Sequence, residues 1–305
     1  MSYFQASDPQ CDTQRCGQSI AVEIIPRSVD LGGFNVLRAL PSLSKRTVGA
    51  FVFFDQMGPG EFLTGKGLDV RPHPHIGLST LTYLFEGRIQ HRDTLGNNQI
   101  IVAGDVNLMT AGRGIAHSER TPKADRLKPQ RFLGIQCWLA LPLDKEEVDP
   151  SFTHYETAVL PSHSDKSMSW RVAAGNWMGL KSPVYTLNDA VFVEMKMKSA
   201  SETNIPKDIE ERAIHVVSGE IEIDSVHYKD VRMLVLKPGA DVKVRANADT
   251  HLLIVGGSAL EKPRHVWWNF VARSRERIEQ AKVDWTSGKF GTIPGDEEEF
   301  IPLPS

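Results

Sequence analysis

Two tripeptides carry the chemistry open to this chain. His73-Pro74-His75 and His117-Ser118-Glu119 each set two ligand-capable side chains two residues apart. In an extended strand, residues i and i+2 project to the same face, so each tripeptide aims a pair at one point. Together they offer three imidazoles and one carboxylate. That donor set suits a borderline divalent ion: iron(II), manganese, nickel, cobalt, copper or zinc. On an octahedral ion, four protein ligands leave two cis positions, enough for a bidentate substrate or for substrate plus dioxygen. Structural metal sites tend to be closed, so an open edge points to a working centre. A single His-x-His is commonly an accident of composition. Here the second pair also sits in a strand-like setting, with Ile115-Ala116 leading in and Thr110-Ala111-Gly112-Arg113-Gly114 forming the bend before it.

The elements that must position these pairs read as β. From Thr47 onward, short apolar or alternating runs recur at intervals of about ten residues, broken by turn residues. The runs are 47–54, 78–85, 88–92, 100–103, 106–110 and 132–141. Many short strands with glycine-containing breaks indicate a sandwich or barrel and not a parallel α/β sheet. Glu86-Gly87 and Asn97-Asn98 read as tight hairpin turns. Period-2 counting onward from His75 puts Ser79, Leu81 and Tyr83 on the inward face. His91 follows a turn and reads as a hydrogen-bonded strand histidine. His154, His163, His215, His227, His251 and His265 have no paired spacing and read as ordinary.

A second set of strand signals starts near Val184 and resembles the first. Phe85-Glu86-Gly87-Arg88-Ile89 aligns with Val217-Ser218-Gly219-Glu220-Ile221, and Asp105-Val106-Asn107-Leu108-Met109 with Asp230-Val231-Arg232-Met233-Leu234. On these anchors His73 falls on Ile205, His75 on Lys207, His117 on Val242 and Glu119 on Val244. The second half therefore lacks the ligands. After it, Val271, Ser274, Ile278, Ala281 and Trp285 recur at spacings of three and four, one face of an amphipathic helix. Trp267-Trp268 reads as packing, and Asp296 to Glu299 as a short acidic run. The expected organisation is a polar leader over 1–18, a metal-binding unit over 19–145, a second unit without ligands over 146–260, and a helix and tail over 261–305.

Composition narrows the class. The 305 residues are 41% hydrophobic with a net charge of −3, so nothing favours nucleic acid or a membrane surface as a direct partner. No apolar run approaches the length of a membrane span, and Met1-Ser2-Tyr3-Phe4-Gln5 lacks the character of a signal peptide, so a cytoplasmic location is expected. Three cysteines do not make a disulfide scaffold. Cys137, within an apolar run, reads as a buried small hydrophobe. Cys11 and Cys16, in the polar leader, read as free thiols.

The motifs His73-Pro74-His75-Ile76-Gly77, Thr82-Tyr83-Leu84-Phe85-Glu86-Gly87, His91-Arg92-Asp93-Thr94-Leu95-Gly96 and Met109 through Glu119 resemble the signature of the pirins, a family of the cupin superfamily. Phe54-Asp55-Gln56-Met57-Gly58-Pro59 and Gly134-Ile135-Gln136 extend the match. The resemblance implies an all-β bicupin: two jelly-roll barrels face to face, followed by the C-terminal helix and tail. It implies one metal, usually iron, in the first barrel on His73, His75, His117 and Glu119. Some bacterial pirins resemble quercetin 2,3-dioxygenases, which implies a flavonol and dioxygen as reactants and Glu119 as the general base that takes the flavonol hydroxyl proton. Animal pirins act as redox-sensitive cofactors of transcription regulators, which implies the alternative of an iron-dependent regulatory protein with a protein partner. The sequence departs from many pirins at Ile76, where they carry arginine, and at Ser79, where they carry glutamate.

Overall fold

The computed structural model describes residues 10–11, 17–31 and 34–304. They form two barrels, each a large antiparallel sheet closed by a four-stranded one. In the first barrel the large sheet runs, in spatial order, Ser151–Tyr155, Val106–Thr110, Leu78–Glu86, Gln130–Ala140, Phe51–Phe62, Asn35–Leu40, Arg27–Asp30. Its small sheet runs Asp69–His75, Ile115–Arg120, Arg88–Asp93, Asn98–Val102.

The second barrel repeats this plan. Its large sheet runs Gln10–Cys11, Ile20–Ile25, Arg232–Leu236, Glu211–Ser218, Thr250–Gly257, Val191–Met197, Met168–Ala174, Ser162–Ser164. Its small sheet runs Glu202–Ile205, Val242–Ala246, Glu220–Ile223, Val226–Lys229. In both small sheets the first strand in sequence lies beside the last, with the middle two following, so the two barrels share one topology.

The large sheets pack against each other. Phe54, Leu81, Tyr83, Ile135, Cys137 and Leu139 from the first meet Phe192, Ala213, Met233, Val235, Leu253 and Val255 from the second in one buried cluster. Cys137 is a free thiol in that seam, and burial pushes its pKa up. The expected thiols at Cys11 and Cys16 lie outside the residues whose side chains are described. The seam also contains polar contacts. The Tyr83 hydroxyl donates to Glu194 Oε2 at 2.6 Å, and His251 Nε2 lies 2.9 Å from Glu194 Oε1. His215 Nε2 reaches Gln56 Oε1 at 2.8 Å. Within the first barrel Arg38 and Asp55, both fully buried, form a two-pronged pair at 2.7 Å, which satisfies charges that burial alone would penalise.

The structure corrects four details of the sequence reading. The barrels do not divide at residue 145. Ile20–Ile25 pairs with Arg232–Leu236 of the second barrel, and Ser151–Tyr155 pairs with Val106–Thr110 of the first. Each exchange covers an otherwise open sheet edge.

Glu86-Gly87 is not a hairpin. The strands on either side belong to different sheets, and Gly87, at φ +87°, forms the corner between them. A Cβ there would meet Phe132 Cδ2 at 2.7 Å and Arg131 O at 2.8 Å, so only glycine fits. Asn97-Asn98 does belong to a hairpin, with Arg92 opposite Asn98.

The inward face of Leu78–Glu86 has the opposite parity from the one expected. The chain crosses between sheets at Ile76-Gly77, which resets the alternation. Leu78 and Leu84 face the first barrel's interior, whereas Leu81 and Tyr83 lie in the seam.

Finally, the C-terminal helix spans Arg275–Thr286 and buries Ile278 and Ala281. Val271 lies in the preceding strand Phe270–Ala272, and Ser274 is the N-cap, its hydroxyl accepting from Arg277 N at 3.3 Å.

Candidate metal centre

The strands Asp69–His75 and Ile115–Arg120 are neighbours in the small sheet, with His73 opposite His117 and His75 opposite Ile115. Strand alternation puts His73 and His75 on one face, and pairing brings His117 against them. Ring nitrogens of the three histidines all lie within 4.8 Å of one another, and all three residues are fully buried.

Each ring is oriented through its Nδ1. His73 Nδ1 donates to Arg71 O at 2.8 Å, and His75 Nδ1 to Asn269 O at 3.2 Å. His117 Nδ1 lies 3.3 Å from His91 Nδ1, and His91 Nε2 lies 3.0 Å from Asp93 Oδ2. With the Asp93 carboxylate accepting from its Nε2, His91 in its neutral form accepts at Nδ1 and places the proton of His117 on Nδ1. In all three ligand rings the lone pair then belongs to Nε2. Burial above all holds the pKa of each well below the ordinary histidine value, so the rings are neutral.

The Nε2 atoms of His75 and His117 are 3.1 Å apart. Two acceptor nitrogens that close repel unless a cation lies against both. The donor set therefore fits a divalent metal bound by three neutral imidazoles, with other positions open.

The structure does not bring the fourth sequence candidate into this group. Glu119 is buried on the same strand as His117, but the set of ligand atoms within 4.8 Å contains no carboxylate. Instead Glu119 Oε1 accepts from Gln136 Nε2 at 2.6 Å, and the same Nε2 is 3.3 Å from Thr82 Oγ1. Trp138 lies edge-on to His75 at 5.2 Å, and Phe152 stacks on His91 at 4.3 Å.

Several of these supports were missed in the sequence. Asp93 had a signal, since His91-Arg92-Asp93 repeats the i, i+2 spacing of the ligand pairs. Asp93 is fully buried and also accepts from Leu95 N and from Asn97. Burial opposes its ionisation, but the hydrogen bonds of His91 and Asn97 outweigh it and lower its pKa. Gln136 closes a motif of the family match but had no role attached to it, and Asn269 carried no signal. Their roles arise from strands and loops remote in sequence: Val271 N donates to Ile76 O and Ile301 N to Pro72 O, so the C-terminal segment straps the first ligand strand.

The chain matches the family described as Pirin over residues 33–139 and the Pirin C-terminal cupin domain over residues 192–291. It is 44% identical over 281 residues to a pirin-like protein of Caulobacter vibrioides, an alignment covering 91% of this chain and 97% of that one. Among solved structures, a quercetin 2,3-dioxygenase from Acinetobacter baumannii superposes with a TM-score of 0.87 at 35% identity, covering 94% of this chain and 96% of the other. A bacterial pirin from Escherichia coli, solved in complex with nickel(II), shares the fold at a TM-score of 0.59 and 20% identity, covering 77% and 96%. The shared topology of the two barrels, the three-histidine cluster in the first and these matches lead to one conclusion: the chain belongs to the pirin family of the cupin superfamily.

Proposed function

We propose that this pirin is a metal-dependent ring-cleaving oxygenase of the quercetin 2,3-dioxygenase type, with a flavonol and dioxygen as its reactants. The observation that carries the reading is the convergence of three neutral, buried imidazoles beside a buried carboxylate inside the first barrel. Its 35% identity to a chain described as a quercetin 2,3-dioxygenase supports the choice of substrate class.

His73, His75 and His117 hold the ion, iron(II) in the first instance, with manganese, nickel, cobalt, copper and zinc as alternatives. Glu119 is both its fourth ligand and the general base. The bound ion supplies Lewis acidity to a chelating enol and access to dioxygen chemistry. Glu119 receives the proton of the flavonol hydroxyl at a carboxylate oxygen, within reach of the same site. The His91–Asp93 pair keeps the His117 proton on Nδ1 and so keeps Nε2 available. Trp138 and Phe152 form apolar walls against His75 and His91, which limits water at the reacting centre.

The test loads the full chain with iron(II) under anaerobic conditions, then follows oxygen uptake across a flavonol panel. Wild type should consume oxygen with at least one flavonol. Glu119→Gln should keep part of its metal and lose oxygen uptake by about 10²–10⁴-fold, the range for removal of a general base. Full activity in Glu119→Gln would remove that residue from the mechanism. No uptake by metal-loaded wild type with any flavonol would overturn the assignment. Among the described residues no helix is long and apolar enough to cross a membrane.

A further inference from the structure

The C-terminal segment does more than strap the first ligand strand. Pro72 and Ala116 alternate with His73 and His117 along their strands, so they face away from the three-histidine cluster, on the outside of the barrel. The end of helix Arg275–Thr286 and the tail after it arch over that outer face and enclose a cavity of about 420 Å³. Pro72 and Ala116 form its floor, and Trp285, Ile293, Phe300 and Leu303 belong to its walls. The walls are tied in place. Trp285 Nε1 donates to Ile301 O at 3.0 Å, and Ile301 N donates to Pro72 O at 2.8 Å. Small-molecule sites have this character: roughly 300–1,000 Å³, mostly apolar, with a few polar groups that orient the ligand.

The polar groups here have one sign. Asp296, Glu297 and Glu299 line the cavity, and no lysine or arginine does. Arg120, from outside the lining, pairs with Asp296 and Glu299. Exposed Glu297 accepts the backbone N–H of Gly295 at 2.9 Å and has no cationic partner among the described residues. One guanidinium thus serves two of the three carboxylates, and the rim keeps a negative excess. Phe300 stands at the same rim, 59% exposed and edge-on to Trp285 at 6.0 Å. An aromatic face beside a carboxylate attracts an organic cation twice, through its ring and through the charge.

We infer that this cavity binds a small organic amine with an aromatic body. The protonated nitrogen sits at Glu297, and the apolar body lies against Trp285 and Phe300 over the Pro72–Ala116 floor. A free small molecule fits the space better than a docking protein, because the tail closes over the sheet and leaves a walled cavity of small-molecule size. The site is separate from the metal centre and uses none of the chemistry proposed for it.

The test uses the full chain and two matched probes, naphthylethylammonium and its uncharged counterpart naphthylethanol, followed by calorimetry and ligand-observed NMR at low salt. Wild type should bind the amine with a Kd of about 1 mM or tighter, the order expected for a molecule of this size. It should prefer the amine to the alcohol by about fivefold, the scale of a partly exposed ion pair. Glu297→Gln should remove that preference and leave the alcohol unchanged. Phe300→Ala should weaken both probes by about tenfold through loss of the aromatic contact. Thr292→Trp, at an exposed lining position, should fill the cavity and abolish both, and Phe300→Ala carries this part of the test if that variant does not fold. The inference is overturned if wild type shows no binding of the amine at about 10 mM. It is equally overturned if amine and alcohol bind alike, or if the preference survives Glu297→Gln. Binding that is unmoved by Phe300→Ala would place the amine elsewhere on the molecule and overturn it as well.

Discussion

The two barrels have the same strand order and opposite interiors. In the first small sheet His73 lies opposite His117; at the equivalent place in the second, Ile205 lies opposite Val242. Around that second pair, Ile214, Val216, Ile221, Ile223 and Val244 close a wholly apolar cluster. Burying each such aliphatic side chain contributes roughly 1.5–3 kcal/mol. Three imidazoles packed together without a cation instead carry a desolvation cost. One topology thus serves two ends. The second barrel's interior is filled with aliphatic side chains, and the first gives part of its interior to three buried histidines. The difference lies in a few inward-facing positions, because the β-ladder that forms the barrel is indifferent to what the inward side chains are.

The largest break in this comparison comes from removing ligands. His75→Ala with His117→Ala should lower metal affinity by more than about 10⁴-fold, since the remaining ligands cannot complete a site. Equilibrium dialysis followed by elemental analysis measures it. Retention of stoichiometric metal by the double variant would place the centre elsewhere. Wild type should bind close to one ion per chain, and a second tight ion surviving loss of His73 and His75 would show that the second barrel also holds metal.

The reverse exchange tests the other side. Ile205→His with Val242→His puts two imidazoles into an apolar interior with neither a third ligand nor a partner for Nδ1. It should cost about 3–6 kcal/mol of stability, from lost packing and unsatisfied polar groups, and add no metal. Denaturant unfolding reads the first effect and metal stoichiometry the second. A second bound ion would mean that two histidines suffice on this scaffold.

The seam between the barrels provides a third test. Burial opposes ionisation of Glu194, but the hydrogen bond and charge of His251, helped by the Tyr83 hydroxyl and Lys196, bring its carboxyl down to about 2 from an ordinary 4.5. The folded value lies below the unfolded one, so unfolding takes up a proton. Glu194 therefore contributes its full stabilisation above about pH 4.5 and loses it as pH falls toward 2, an effect of about 3 kcal/mol. His215, in the same seam, adds to the acid sensitivity. Burial lowers its pKa to about 3, so folding is progressively disfavoured below the ordinary histidine range. Tyr83→Phe should flatten the melting-temperature profile below pH 4.5. A profile identical to wild type would show that this hydroxyl does not help hold the Glu194 charge.

The smallest effect is expected at Lys207. Alignment of the two halves places it where His75 stands, but the second small sheet's strand ends at Ile205, and Pro206 has no N–H to extend the ladder. Lys207 lies outside the barrel, 3.4 Å from Asp241 in an exposed ion pair. Lys207→Ala should change stability by less than about 0.5 kcal/mol and metal stoichiometry not at all. A clear gain or loss of metal would contradict that placement.

The sequence by itself determined the three histidines that converge, the β class, the internal repeat and the family. These are period-2 and motif signals, and such signals survive because a strand's side-chain direction is set locally by the backbone. His73, His75 and His117 converge as that alternation requires, and Ile205 and Val242 meet in the second barrel at the register the repeat implies. Only the tertiary structure decided where the alternation is reset. Gly77 and Gly87 carry the chain from one sheet to another, and each crossing changes the face that later residues present, so Thr82 and not Tyr83 shares the centre's interior. It also decided that Ile20–Ile25 and Ser151–Tyr155 complete the opposite barrels. Above all it placed Gln136 against Glu119 and Asn269 behind His75, contacts between residues 17 and 194 positions apart. Contacts of that kind depend on how two sheets close on each other, and no local pattern along a chain encodes that closure.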